Sequence, residues 1–244
     1  MSLRAHVRSL YLLPLVRKGV VAARRVYFVH VRRALRTLPS ADAFAATLPH
    51  NLKSLAQCNP RIDLLIKPLS VIESLNERSK VLVIGPRNEH DLFMLAGHGF
   101  ACVRGLDLIS YSPRIDLGDM HATPYPDDAW DAIVTGWTLS YSSAPERVAR
   151  EMIRIARPGA VIAVGVEYST MSESEEIALS GYSIQERTKL PKRINSVAEV
   201  LALFAPHVDT VFFTHDAPRK RSHTAGGLAA DVSNVAAIFS IRKA

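Results

Sequence analysis

Four short stretches gather the side chains that could do chemistry. Gly85-Pro86-Arg87-Asn88-Glu89 follows an apolar run, KVLVI at 80–84. Asp107 closes a second run, and Gly118-Asp119-Met120-His121 closes a third. Trp137 and Tyr141 follow a fourth, WDAIVT at 130–135. A carboxylate at a strand end, such as Asp107, can accept the protons of both ribose hydroxyls. Glycine at 85 would let backbone pass close under a ligand. Arg87 reads either as a surface residue or as a guanidinium paired with a carboxylate. Trp137 is core packing or a ligand contact, and Tyr141 is a helix-start residue or a ligand contact. His121 is structural, or reaches the mouth of a site. Glu167, after the fifth apolar run, is a weaker candidate. The nine histidines show no H-E-x-x-H spacing, so no metal is expected. Two cysteines, Cys58 and Cys102, make no disulfide framework and suit a reducing compartment.

The elements that must position these residues alternate. The run 80–84 is continuously apolar, as a strand buried on both faces should be. Asn88 can cap a helix to about His98, with Glu89 and Asp91 in its first turn. Strands are expected at 101–106, 115–117, 130–135 and 160–166, and a helix at 145–156. A short helix at 197–204 precedes two strands, 208–214 and 235–241, with no helix between them. The fold class is therefore α/β: a Rossmann-like doubly wound sheet of five parallel strands, plus a terminal antiparallel hairpin closing its edge. Residues 1–79 read as a basic helical arm and cap, and 80–244 as the ligand-binding domain.

Charge sets the arm apart. The 244 residues carry 30 Lys and Arg against 23 Asp and Glu, a net of +7. Nine of the basic residues lie in 1–37, which has no acid, while the remaining 207 residues carry 21 basic and 23 acidic groups. A basic body gripping nucleic acid is disfavoured. Pro14 can open a helix to about Leu38. Its Arg17, Lys18, Arg24, Arg25, Arg32, Arg33 and Arg36 fall within half the circumference, opposite Val16, Val20, Tyr27, Val31, Ala34 and Leu38. Such a helix suits an anionic membrane surface, RNA or an acidic partner; the bland alternative packs the apolar stripe on the body and leaves the arginines solvated. A cytoplasmic protein is expected, peripheral at a membrane as an option. A mitochondrial presequence is the competing reading, although serine is sparse.

From Lys80 to about Lys243 the chain resembles a class I S-adenosylmethionine-dependent methyltransferase of the type 11-like kind, over about two thirds of its length. The resemblance rests on VLVIGPRNE at 81–89, GLDL at 105–108, GDMHATPYPDDAWDAIV at 118–134 and APERVAREMIRIARPGAVIAVG at 144–165. It implies S-adenosyl-L-methionine as cofactor. It makes Asp107 the ribose ligand and Asp119 the acceptor of the adenine amino group. The Met120 backbone N–H would meet a ring nitrogen, and the Gly85 loop would run under the methionine and ribose. Tyr141 falls about where many relatives carry a histidine.

Two departures stand out. The family's G-x-G-x-G loop keeps only Gly85, with Arg87 and Glu89 at the next two glycine positions and Val83 at its usual acid. Arg87 and Glu89 would obstruct the cofactor, or Arg87 would pair with its methionine carboxylate. Only eleven residues separate Asp107 from Asp119, so the usual helix gives way to a loop containing SYSP. Acceptor pockets are built from insertions, and three are available: 40–79, 167–195 and 216–232. The second carries Glu173, Glu175, Glu176, Arg187, Lys189, Lys192 and Arg193, and the third Arg219, Lys220, Arg221, His223, Gly226 and Gly227. Methyl transfer to a small-molecule, lipid-linked or saccharide nucleophile is the leading function. The alternatives are a catalytically inactive methyltransferase-like binding or assembly subunit, and a nicotinamide enzyme, which the missing G-x-G-x-x-G disfavours.

Overall fold

In the computed structural model the described residues are 3–38, 47–169, 194–216, 222–225 and 228–243. The chain opens with α1 (Leu3–Ser9), a 3-10 turn (Leu10–Leu12) and α2 (Pro14–Val26), which runs into a π turn (Tyr27–Val31). A two-residue strand β1 (Arg36–Thr37), α3 (Thr47–Lys53), a 3-10 turn (Pro60–Ile62) and α4 (Asp63–Leu69) follow. The body then alternates as β2 (Lys80–Ile84), α5 (His90–Gly97), β3 (Cys102–Asp107), β4 (Ile109–Ser110), β5 (Ile115–Leu117), β6 (Trp130–Gly136), α6 (Pro145–Ile155) and β7 (Ala156–Ser169). It ends with α7 (Val197–Phe204), β8 (Val208–Asp216), β9 (Ser222–Ala225) and β10 (Leu228–Ile241).

The main sheet runs in the order β5-β3-β2-β6-β7-β10-β8, and β9 pairs with β10 beside it. Strands β5, β3, β2, β6 and β7 are mutually parallel, and β10 is antiparallel to both of its neighbours. The terminal hairpin is present, but its second strand inserts between β7 and β8, so β8 becomes the edge and a sixth strand of the parallel direction. Both faces of the sheet's centre are covered, which is why 81–84 and 160–166 read as unbroken apolar runs. Val81 and Val83 point into one core with Leu65, Ile66, Leu92 and Leu95; Leu82 and Ile84 point into the other with Val148, Met152, Val200 and Phe204. This is the two-residue period of a strand. Helix α4 is thus a sheet-covering helix, with Leu65, Ile66 and Leu69 fully buried. The boundary expected at 79/80 does not mark a break in packing.

The arm ends and faces differently from the expectation. The helix stops at the π turn, Arg33 takes a left-handed φ of +49°, and Arg36–Thr37 pairs antiparallel with Ile109–Ser110. The short link after Asp107 therefore does carry no helix, and the arm adds a strand to it. The arginines do not all face outward. Arg17 is buried and donates to His90 Nε2 at 3.1 Å and to the Tyr11 carbonyl at 2.5 Å. Arg24 donates through two nitrogens to Glu89 at 2.8 and 2.9 Å. The physical reason lies on the body: the Glu89 side chain has no solvent exposure, and among the described residues its ion-pair partner is Arg24 of α2. Val16, Tyr27 and Val31, which the bland alternative packs on the body, are exposed.

Candidate cofactor site

The carboxyl ends of β2, β3 and β6 open on one cavity of about 430 Å³. Ligands of open α/β sheets bind at such strand ends, and the volume suits a small-molecule site. Gly85, Arg87, Asp107, Asp119, Met120, Trp137 and Tyr141, all singled out in the sequence, line it.

Three left-handed residues shape the floor. Gly85 has φ +69°, Arg87 +58° and Trp137 +66°. A Cβ on Gly85 would lie 2.2 Å from Thr138 Oγ1, so only glycine permits this approach of the loop to the turn after β6. Arg87, which the resemblance sets at a glycine of the loop, takes a left-handed backbone that favours glycine, a strained conformation for arginine. Gly85→Ala is expected to cost at least about 2 kcal/mol, a fall in Tm of about 4–8 °C. A thermal melt of the variant checks this.

Asp107 ties this floor together. Its Oδ2 accepts the Arg87 N–H at 2.8 Å and its Oδ1 the Ile109 N–H at 3.1 Å. Each oxygen retains a second lone pair for a ligand hydroxyl. The carboxyl is 5% exposed, and burial pushes its pKa up to about 6 against the pull of those N–H bonds.

Asp119 is held from the side. Its Oδ1 accepts the His121 N–H at 2.9 Å and meets His121 Nδ1 at 2.7 Å. His121 Nε2 meets Ser142 Oγ at 2.7 Å. Burial raises the Asp119 carboxyl, but the His121 bonds and Arg147 outweigh it and hold it below the usual carboxylate range. Both ring nitrogens of His121 are thus engaged, and the residue stands outside the cavity lining. It positions Asp119 and ties it to the segment that carries Tyr141.

Glu89, at the third glycine position, does not obstruct the cavity. It accepts from Arg24 and from Ser112 Oγ, and its N–H donates to the Tyr111 hydroxyl. Asn88 is not the helix cap, since Glu89 takes the N-cap position of α5; its Oδ1 accepts the His90 N–H at 2.9 Å in a local turn, and its amide donates to the Leu55 and Gln57 carbonyls. That fastens the segment 51–61 over the site.

Sequence reasoning missed what this segment brings. Asn51, Gln57, Asn59 and Arg61 line the cavity with Thr138. Asn59 accepts the Arg61 N–H at 3.1 Å, a local turn bond, and the Asn-Pro dipeptide at 59–60 was its only sequence signal. Arg61 pairs with Glu167 and lies 4.7 Å over the Trp137 ring. Trp137 is buried, and its Nε1–H has no partner among the described residues. The candidate positions 173–193, 219–221, 226 and 227 lie outside the described residues, as do the side-chain surroundings of His223.

The cavity fits S-adenosyl-L-methionine in its donor set. The buried Asp107 carboxylate, suited to a diol, and the Asp119 carboxylate line one space beside the Gly85–Arg87 turn.

Comparisons with known proteins agree with the fold. Residues 101–164 match the family model described as a methyltransferase domain. A chain of the complex between the Haloferax volcanii Trm112 methyltransferase activator and the protein described with it as a methyltransferase superposes with a TM-score of 0.55 at 18% identity, over 83% of this chain and 97% of that one. The [4+2]-cyclase SpnF superposes at 0.54 with 18% identity, over 76% and 78% of the two chains. Geranyl diphosphate methyltransferase in complex with GPP and sinefungin superposes at 0.51 with 15% identity, over 74% and 76%. At such identities the likeness is one of fold, and the fold alone hosts more than one chemistry.

Proposed function

We propose that the protein is a class I S-adenosyl-L-methionine-dependent methyltransferase and transfers a methyl group to a small-molecule, lipid-linked or saccharide nucleophile. The observation that carries this reading is the buried Asp107 carboxylate at the end of β3, bonded to the left-handed Arg87 turn and sharing one cavity with Asp119. The bound cofactor supplies a methyl group already activated by its sulfonium. Asp107 accepts the ribose hydroxyls. Asp119, through the Oδ2 that accepts no hydrogen bond from a described residue, and the Met120 N–H take the adenine edge. Arg87 pairs with the methionine carboxylate. Trp137 and Tyr141 orient the acceptor in line with the methyl group, and the segment 51–61 excludes water.

The second reading, a methyltransferase-like binding subunit without catalysis, draws on the Arg87 side chain standing half-buried where relatives have glycine. The Haloferax neighbour, described in a complex with an activator protein, is compatible with it.

The pH dependence of binding separates the two. In the free protein the raised pKa of Asp107 gives a stability contribution that is present below the unfolded value near 4 and lost as pH rises through about 6. Ribose hydroxyls need the ionised form, so binding has the opposite sense. The Kd of S-adenosylhomocysteine is expected to be flat above pH 7 and about tenfold higher at pH 5. Thermal-shift titration from pH 5 to 8 measures this. No ligand-induced shift at any pH favours the second reading.

A further inference from the structure

The inward turn of Arg17 and Arg24 leaves the opposite side of α2 facing solvent. Leu15 is 85% exposed and Val26 49% exposed. At about 100° per residue, Leu15, Gly19, Ala22 and Val26 share one face of the helix. Leu13, Tyr27 and Val31 are also exposed, outside that face. Lys18 and Arg25 border that face, and Arg32, Arg33 and Arg36 follow it. None of these five cations forms an ion pair with a described residue. Residues 3–38 contain no acid at all.

We propose that this face is a docking surface for an anionic lipid bilayer, with α2 lying in the plane of the interface. Three observations select that partner. The apolar residues occupy the middle of the face and the cations its border and end, which matches an acyl layer beneath anionic headgroups. A nucleic acid would meet the apolar centre rather than the charge. A second copy of the chain would set like charges against each other across the contact. Among the described residues no helix is long and apolar enough to cross a membrane, so the contact is peripheral. Because α2 is fastened to α5 through Arg17–His90 and Arg24–Glu89, the bilayer would hold the folded body and not a loose tail. The inference does not rest on the methyltransferase reading.

Co-sedimentation of the full-length protein with vesicles tests it. Vesicles of phosphatidylcholine containing phosphatidylglycerol are expected to bind the protein, and pure phosphatidylcholine vesicles to bind it at least about tenfold more weakly. Leu15→Glu with Val26→Glu is expected to weaken binding at least about tenfold, and Lys18→Glu with Arg32→Glu by a similar factor. All four side chains point to solvent, so the melting temperature should hold, and a melt of each variant verifies that the fold survives. Failure of the folded wild-type protein to bind anionic vesicles would overturn the proposal. So would equal binding to both vesicle types, binding unaltered by Leu15→Glu with Val26→Glu, or a stable dimer that those two substitutions dissolve.

Discussion

Replacing Asp107 by alanine is expected to weaken S-adenosylhomocysteine binding at least about 100-fold while leaving the protein folded. The size follows from the bonds removed. Two hydroxyls donating to one carboxylate lose charge-assisted hydrogen bonds of about 1.5–3 kcal/mol each, and each 1.4 kcal/mol is about tenfold. The carboxylate also anchors the Arg87 and Ile109 N–H groups, so the variant loosens the turn that carries Gly85. Stability should nevertheless change little. Burial disfavours the Asp107 charge, as its raised pKa shows, and the alanine variant is relieved of that cost. Asp107→Asn keeps one good acceptor oxygen and should fall between the two. An unchanged Kd in Asp107→Ala would remove the ribose assignment.

Arg24→Ala is expected to destabilise the protein by about 3–5 kcal/mol, a fall in Tm of about 6–20 °C. The reason is not the worth of the ion pair itself. Glu89 has no exposure, and without Arg24 its charge stays buried with only the Ser112 hydroxyl and its own α5 environment to compensate it. Arg24 also lies 5.0 Å from the Phe28 ring centroid and 5.5 Å from that of Phe93, contacts that add to the loss. Neutralising both partners, as Arg24→Met with Glu89→Gln, should recover much of the stability. A thermal and urea denaturation series on the three variants measures this. If Arg24→Ala costs less than about 0.5 kcal/mol, the arm is not seated on α5 as described.

The sheet was legible because a strand buried on both faces must be apolar, and 81–84, 132–134 and 160–166 are. The positions of Gly85, Arg87, Asp107 and Asp119 followed, since strand ends in such a sheet face one crevice. What the sequence did not carry was partnership across distance. Arg17 and Arg24 look like their neighbours on a helical wheel, and the residues that turn them inward lie 73 and 65 positions away. The hairpin at the end of the chain was readable from its two apolar runs, whereas its insertion between β7 and β8 depends on pairing energies that no local pattern records. Arg87 concealed a glycine conformation behind a side chain that seldom adopts one. Asn59 and Arg61 enter the site through a turn whose only signal was a proline.

Isothermal titration calorimetry of the purified full-length protein with S-adenosylmethionine and S-adenosylhomocysteine is the most direct test of the central claim. One site per chain with micromolar affinity for both ligands is the predicted result. A folded protein, shown free of carried-over ligand, that takes up neither would contradict it.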